Sequence, residues 1–414
     1  MSIVRAFRHR DFMIYTSSGF FANIGVWLER VGVQWLAWSL THSYGWLGAV
    51  SFMDAMGIIC GMPIFGIIID RGDRLKLMRL AQMLIMCLSI TLATLSLTHV
   101  LNIWIVMGAM LCHGVLDSFW SPARLSMSPA LVPREDLPAA IGTNATLFNL
   151  AQILGPSLAG VIIAGFDDEF IGCGVCFMVA IAGYLIYLAG LFSIKKLRVD
   201  ERVAKPKTSF FADFKEGLVY IFAKPGLGLY MGLMLMTTLI MRPVREHLAG
   251  FADGVFHQGP QGLALLTSAL GTGALVGALV VANITRVNGL TRMILTIFGV
   301  AIAVQFIFAL APTFHIAVGA MAFVGATIAV GGIGSQVLIQ SSIKGTMRGR
   351  VVSLWSIIMR AGPPVGAWII GGIAEITGLQ WAFTGMTALY LVLFLLMAPR
   401  FKKLAREMEA PPED

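Results

Sequence analysis

Several ionisable side chains interrupt the long apolar stretches of this sequence. Glu29, Asp54 and Arg360 each lie about ten residues inside such a stretch, and Arg30 directly follows Glu29. At a rise of 1.5 Å per residue, that position is roughly 15 Å along a helix. An ionised Arg or Asp at the centre of a bilayer costs about 2.5 to 3.5 kcal/mol on insertion scales, so residues that remain there are candidates for function.

The carboxylates among these residues have the properties that proton exchange requires. A proton carrier must be neutral when it is desolvated and charged when it is wet, and Glu29 and Asp54 lie deep enough for that alternation. His113 is a third candidate because an imidazole can relay a proton, although a lone histidine in a helix is more often a packing residue. The competing interpretation for Glu29 is a structural ion pair with its neighbours.

The arginines favour an anionic ligand, because a guanidinium group holds a carboxylate through two parallel hydrogen bonds. Arg242, Arg245 and Glu246 are spaced by three and four residues, which predicts one shared face of an α-helix. Arg242 and Glu246 could instead form an internal salt bridge, which would leave Arg245 and Arg360 for a ligand. The pattern predicts a small anionic or polycarboxylate ligand. Further binding candidates are Glu29, Arg30, Asp54, Trp27 and Trp355.

The elements that must position these side chains are membrane-spanning helices. The chain has 414 residues, of which 57% are hydrophobic and only 13% charged, whereas soluble proteins average about 25% charged. Stretches long enough to cross about 30 Å of hydrocarbon lie near residues 12–40, 45–69, 77–98, 100–120, 141–165, 171–194, 226–250, 261–284, 290–311, 314–340, 351–375 and 380–399. These predict an all-α membrane protein with twelve transmembrane helices.

The positive charges predict the orientation of these helices. Of the 30 Lys and Arg residues, all except Arg30, Arg242, Arg245 and Arg360 lie in the N-terminal segment, in alternate loops or in the C-terminal tail. Because Lys and Arg are retained on the cytoplasmic side, both termini are predicted to be cytoplasmic in an inner (plasma) membrane. The basic charge is thereby explained without a nucleic-acid partner.

Two similar halves are predicted from the central linker and from a repeated dipeptide. Gly155-Pro156 and Gly362-Pro363 lie 207 residues apart, half the chain length, as in transporters built from parallel repeats. Residues 195–224 form a basic linker with an amphipathic segment, which predicts a helix at the membrane surface. The predicted organisation is a six-helix bundle at 1–194, the linker, a second six-helix bundle at 225–399 and a cytoplasmic tail at 400–414.

The loop after the second apolar stretch carries a family resemblance. It reads Gly66-Ile-Ile-Ile-Asp70-Arg71-Gly72-Asp73-Arg74-Leu75-Lys76, which resembles the signature loop of the major facilitator superfamily. An Asp followed by Arg one and four residues later can form a charge-assisted latch between helices at the cytoplasmic face. The resemblance implies a cytoplasmic gate of Asp70, Arg71 and Arg74, joined by Asp117 and Arg124.

Further stretches resemble one branch of that superfamily, which includes enterobactin-type siderophore exporters and macrolide efflux proteins. They are Gly25-Val-Trp-Leu-Glu-Arg30, Ser121-Pro-Ala-Arg124, Leu131-Val-Pro-Arg-Glu-Asp-Leu-Pro138, Phe148-Asn-Leu150 and Arg348-Gly-Arg-Val351. The resemblance implies two pseudo-symmetric six-helix bundles and alternating access. Gly155-Pro156, repeated as Gly362-Pro363, resembles the antiporter motif, in which Gly and Pro bend the helix; an ordinary packing kink is the alternative.

Together these features predict a proton-coupled exporter of a small, carboxylate-rich metabolite such as a siderophore. The same fold could serve multidrug or macrolide efflux, or import. A transporter-like sensor or an intramembrane enzyme is a further alternative, although the sequence has no H-E-x-x-H segment and no phosphate-binding loop. We expect no enzymatic activity, no cofactor and no metal, and a monomer whose partners are its substrate, protons and lipid.

Overall fold

The computed structural model of this chain is built from helices. It describes residues 7–71, 74–125, 127–133, 135–194, 210–282, 289–343 and 345–409. The helices are α1 (Arg10–Thr41), α2 (Tyr44–Arg71), α3 (Arg74–Leu97), α4 (Ile103–Leu125), α5 (Met127–Leu131), α6 (Leu137–Ala164), α7 (Glu169–Ser193), α8 (Phe210–Ala223), α9 (Pro225–Ile240), α10 (Gly259–Ala282), α11 (Leu290–Ala309), α12 (Phe314–Ser342), α13 (Gly345–Thr377), α14 (Leu379–Met397) and α15 (Phe401–Glu409).

Eleven of the described helical segments are long and apolar enough to cross a membrane. The helix α1 has 32 residues and sufficient length, but Asp11, Glu29 and Arg30 make it more polar than the others. With α1, these helices account for the twelve predicted spans. The prediction of an all-α transmembrane fold is therefore confirmed.

The seventh predicted span, 226–250, is not one α-helix. The α-helix α9 ends at Ile240, Arg242–His247 form a 3₁₀ turn, and Gly250–Val255 form a π-helical turn. Pro243 explains the break, because proline lacks a backbone N–H and its ring clashes with the preceding turn of an α-helix. In a 3₁₀ helix, residues three apart are aligned. Arg242 and Arg245 therefore share a face, whereas the predicted placement of Glu246 on that same face is wrong.

The described residues group into two compact units. The first unit holds α1, α2 from Val50 onwards, α3 to α7, and the segment Ala252–Ser268. The second unit holds Ser43–Ala49, α8, α9 with the segment up to Phe251, and the chain from Ala269 through α15. In the second unit, α8 coincides with the amphipathic segment predicted for the linker, and residues 195–209 of that linker lie outside the described residues.

Small residues bring helix backbones together at corresponding places in the two halves of the chain. In the first unit, a Cβ atom at Gly57 of α2 would overlap Leu111 O of α4. In the second unit, a Cβ atom at Gly273 of α10 would overlap Ala322 O of α12. The helices α2 and α4 are the second and fourth predicted spans, and α10 and α12 are the eighth and tenth. This recurrence is the packing expected of two repeats joined by small-residue contacts.

The pair of Gly-Pro dipeptides shows the same recurrence. Gly155 of α6 lies against the backbone and Cβ of α1 near Trp27, so the fifth span packs on the first. Gly362 of α13 lies against Thr238 of α9, so the eleventh span packs on the seventh. Each proline lies within its helix. The sequence repeat therefore corresponds to a repeated contact.

Replacing Gly273 by Ala will destabilise the protein, because the new methyl group would meet a backbone carbonyl that cannot move independently of α12. Overpacking of this kind costs about 1 to 3 kcal/mol. Gly299 on α11 is a matched control, since a Cβ atom there meets nothing within 4 Å. Ala is the better helix former, so Gly299→Ala should leave the melting temperature in detergent unchanged or raised. Equal melting temperatures for the two variants would contradict the close α10–α12 contact.

Candidate functional site

Glu29 is buried in the first unit and receives two hydrogen bonds from neutral hydroxyl groups. Its side chain is 5% exposed. Ser89 Oγ of α3 donates to Glu29 Oε2 at 2.8 Å, and Tyr184 OH of α7 donates to the same oxygen at 2.7 Å. Glu29 Oε1 has no hydrogen-bond partner among the described residues. The carboxylate is thus fixed through one oxygen at a junction of three helices.

Close packing of α1 on α7 produces this junction. A Cβ atom at Gly25 of α1 would lie 3.0 Å from Ala180 O, and Gly183 of α7 faces Phe21 O in the same way. With so little space between the backbones, the tyrosine one residue after Gly183 reaches the glutamate four residues after Gly25. Tyr184 is 2% exposed, so its hydroxyl must find its partner within the protein.

The neutral hydrogen-bond partners of Glu29 determine which protonation states its carboxyl group can adopt. Within the described residues Glu29 forms no ion pair, so the structural ion pair considered from the sequence receives no support there. A hydroxyl group can donate to a carboxylate and can also accept from a protonated carboxyl group after rotation. The same two neighbours can therefore accommodate the ionised and the neutral form of Glu29. A lysine or arginine partner would stabilise only the ionised form.

Asp54 and His113 form a second polar pair in the first unit. His113 Nδ1 of α4 lies 2.8 Å from Asp54 Oδ1 of α2, within hydrogen-bond distance. The side chains are 20% and 27% exposed, respectively. Gly114 positions the pair, because a Cβ atom there would overlap Asp54 O. The structure thus brings together two of the three predicted proton carriers, and Glu29 belongs to a separate hydrogen-bonded group.

Arg30 and Trp27 are neighbours on α1. The Arg30 guanidinium carbon lies 5.8 Å from the centre of the Trp27 ring, a cation–π distance. Trp27 is buried, and its ring meets Phe148 of α6 edge to face, with ring centres 6.0 Å apart. The predicted aromatic candidate of the first half is therefore a packing residue of α1 against α6 as well as a neighbour of Arg30.

In the second unit, Arg242 lies beside a small cavity of about 30 Å³. Its Nη2 atom donates to Ile328 O at 3.4 Å, and Gly332 leaves room for the guanidinium group. Gln305 lines the same cavity and is 1% exposed, and its Nε2 atom has no hydrogen-bond partner among the described residues. Two donor groups therefore face a space large enough for about two water molecules.

The other predicted residues of the second unit are partly or fully buried. Arg245 and Arg360 are partly buried and Glu246 is 6% exposed. Arg360 lies near the middle of α13, two residues before Gly362. Trp355, one turn earlier on α13, is partly buried against the apolar core of this unit.

The predicted gate is described only in part. The side chains of Asp70, Arg71 and Arg74 lie outside what the structure describes. Asp117 is partly buried on α4. The guanidinium group of Arg124 lies among aromatic rings and the amide of Asn23, with Asn23 Oδ1 accepting a hydrogen bond at 3.0 Å.

Sequence reasoning missed Ser89, Tyr184 and the surroundings of Arg124. A signal was present for Tyr184, because a hydroxyl group in the middle of an apolar span must find a hydrogen-bond partner. Its partner is 155 residues away in sequence, and no periodicity indicates which one it is.

The fold and these buried polar groups define a polytopic membrane transporter of the major facilitator superfamily, as the sequence resemblance predicted. The chain belongs to the transmembrane secretion effector family of that superfamily, which it matches over residues 2–412. One solved structure with this fold is a peptide transporter POT in complex with sulfate. It has a TM-score of 0.75 and 13% identity, and the alignment covers 99% of this chain and 100% of that one.

Two curated relatives resemble the chain over most of its length. The enterobactin exporter EntS of Citrobacter koseri is 26% identical over 419 residues, with 98% of this chain and 95% of the relative covered. The macrolide efflux protein A of Streptococcus pyogenes is 22% identical, with 83% of this chain and 84% of the relative covered. Both relatives belong to the branch predicted from the motifs.

Proposed function

We propose that this protein is a proton-coupled exporter of a small anionic metabolite. The observation that carries the proposal is the buried Glu29 carboxylate, whose hydrogen-bond partners among the described residues are neutral hydroxyl groups. Such a site can release and take up a proton without breaking an ion pair. Asp54 and His113 supply a second exchangeable pair. The names of the two relatives support export as the direction.

The anionic nature of the cargo is argued from the arginines of the second unit. Arg242, Arg245 and Arg360 are partly buried in or beside membrane spans, where charged side chains are rare and mark substrate pathways. A guanidinium group can hold a carboxylate-bearing cargo such as a siderophore through paired hydrogen bonds. We assign the proton-carrying role to Glu29, Asp54 and His113, and we propose these arginines as cargo-binding residues.

The proposal includes a cellular setting and an organisation. We place the protein in the inner (plasma) membrane with both termini in the cytoplasm, because of the distribution of Lys and Arg. We propose a monomer of two six-helix bundles, at 1–194 and 225–399, that alternates access to its cargo. In this proposal a proton gradient drives transport and the cargo is not chemically changed, so we assign no enzymatic activity.

Deleting the gene will remove one anionic metabolite from the growth medium and raise its level inside the cells. The measurement is metabolite profiling of medium and cells, with and without iron. An iron-regulated metabolite that disappears from the medium would support siderophore export. Unchanged metabolites together with greater sensitivity to macrolides would contradict the proposal and favour drug efflux, the function named for the Streptococcus pyogenes relative.

A further inference from the structure

A cavity of about 380 Å³ lies within the first unit, between α1, α4, α6 and α7. Neither Glu29 nor Asp54 lines it. Its volume falls in the range of about 300 to 1,000 Å³ that small-molecule sites occupy. Four aromatic side chains form much of its wall, namely Tyr15, Trp120, Phe148 and Tyr187. The cavity therefore offers ring surfaces to a ligand.

Arg124 contributes a positive charge to this cavity. Its guanidinium carbon lies 5.0 Å from the centre of the Trp120 ring and 5.3 Å from that of Phe148. Its Nη1 atom donates to Asn23 Oδ1 at 3.0 Å. These partners are all neutral, and among the described residues no carboxylate lies within ion-pair distance of Arg124. They fix the position of the guanidinium group but do not neutralise it.

The backbone around Arg124 is also held in place. Tyr15 OH donates to Arg124 O at 3.3 Å, and the Tyr15 and Tyr187 rings lie 5.9 Å apart. Arg124 is in the last turn of α4, where the helix dipole favours a cation. The arginine is thus pre-positioned at the cavity wall, a condition that reduces the entropic cost of binding a ligand.

We infer that this cavity binds an aromatic carboxylate, with the carboxylate paired to Arg124 and the ring packed against the aromatic wall that includes Phe148. The inference rests on the proposed function and narrows the cargo from anions in general to acids that carry an aromatic ring. Arg124 is then a cargo-binding residue rather than a member of the cytoplasmic gate.

The single positive charge and the aromatic rings of the wall fit an aromatic acid better than the other main ligand classes. A neutral molecule would desolvate the guanidinium group without replacing its lost hydrogen bonds to water. A compact polycarboxylate would bring several negative charges to a cavity whose described lining contains one positive charge, Arg124. An aromatic acid satisfies the one charge and covers the rings, which favour edge-to-face or offset contacts.

The test is equilibrium binding of radiolabelled benzoate to the purified full-length chain in lipid nanodiscs. Benzamide has the same shape without the charge, and cyclohexanecarboxylate has the charge without the aromatic ring. Benzoate should bind about tenfold or more tightly than either, because the charged pair and the ring contacts each contribute. Failure of the wild-type protein to bind benzoate, or equal affinities for the three probes, would overturn the inference.

Variants localise the binding to this cavity. Arg124→Gln should weaken benzoate binding about tenfold or more, and Arg124→Lys less, because lysine keeps the charge but not the two-pronged geometry. Phe148→Leu should weaken benzoate but not cyclohexanecarboxylate, which tests the site without removing the arginine. Arg8→Gln removes an exposed charge near the N-terminus and should bind benzoate as the wild type does.

Two outcomes separate this inference from the proposed function. If Arg124→Gln keeps the affinity for benzoate but slows exchange of every cargo, Arg124 is a gate residue and the inference is wrong. If the wild type binds benzoate through Arg124 but moves no cargo in response to a proton gradient, the site stands and the proposed function fails. If the wild type exports cargo in response to a proton gradient but does not bind benzoate, the proposed function stands and this inference fails.

Discussion

Replacing Glu29 by Gln and Asp54 by Asn together will abolish proton-driven accumulation of cargo while downhill exchange continues. Each amide has nearly the shape of the acid it replaces, so the Ser89 and Tyr184 hydroxyls keep an oxygen to donate to. An amide cannot bind or release a proton in the physiological range, so the variant resembles a permanently neutral carrier. Transport then no longer depends on the proton gradient.

The measurement uses everted membrane vesicles and the metabolite that the deletion strain fails to export. Accumulation is followed with an imposed pH gradient, and exchange is followed with cargo on both sides and no gradient. A double variant that still accumulates cargo with full proton dependence would show that the coupling assignment is wrong. Loss of both activities would point instead to damage to binding or folding, which the melting temperature distinguishes.

Tyr184→Phe is the matched control for the hydrogen bonds around Glu29. It removes one donor and leaves the carboxylate able to titrate. We expect proton-driven transport to persist with a shifted pH dependence, whereas the Glu29→Gln single variant should lose the contribution of that site altogether. A Tyr184→Phe protein with no proton-driven transport and a normal melting temperature would assign the essential role to the hydroxyl group.

The sequence was sufficient to place Glu29 within an apolar helix but not to identify its hydrogen-bond partners. The position of Glu29 within an apolar span follows from counting residues, and the structure buries its side chain. Its partners lie 60 and 155 residues further along the chain, on α3 and α7. These pairings depend on glycines that let particular helix backbones approach, and the rotation of each helix about its axis is not encoded in a local pattern.

Arg242 and Arg124 show two other limits of sequence reasoning. Around Arg242 the relevant signal was present, because Pro243 disfavours an α-helix, yet the spacing argument assumed α-helical periodicity throughout. Arg124 was assigned by resemblance to a latch at the end of a helix. Its observed neighbours include Phe148, which belongs to a different helix, α6. A sequence motif in one helix does not show which aromatic ring of another helix packs against its residues.

Replacing Arg360 by Leu will abolish transport without lowering the amount of protein in the membrane. Arg360 lies 13 residues after the start of the apolar segment Met347–Thr377, which is roughly 20 Å along a helix. An arginine at that depth costs about 2.5 to 3.5 kcal/mol on insertion scales, whereas leucine is favourable. The substitution therefore favours insertion, and a loss of transport cannot be attributed to a loss of membrane compatibility.

Two further variants, Arg360→Lys and Arg406→Leu, are the controls for the Arg360→Leu experiment. Lysine keeps the positive charge but cannot form the paired hydrogen bonds of a guanidinium group, so partial transport with weaker apparent affinity for cargo is expected. Arg406 is exposed on α15, and its replacement by Leu removes the same charge from the same unit without affecting a span. Wild-type transport by Arg360→Leu would remove Arg360 from the cargo site.

The Glu29→Gln, Asp54→Asn protein should still bind cargo, whereas Arg360→Leu should not. The two variants therefore separate proton coupling from cargo recognition.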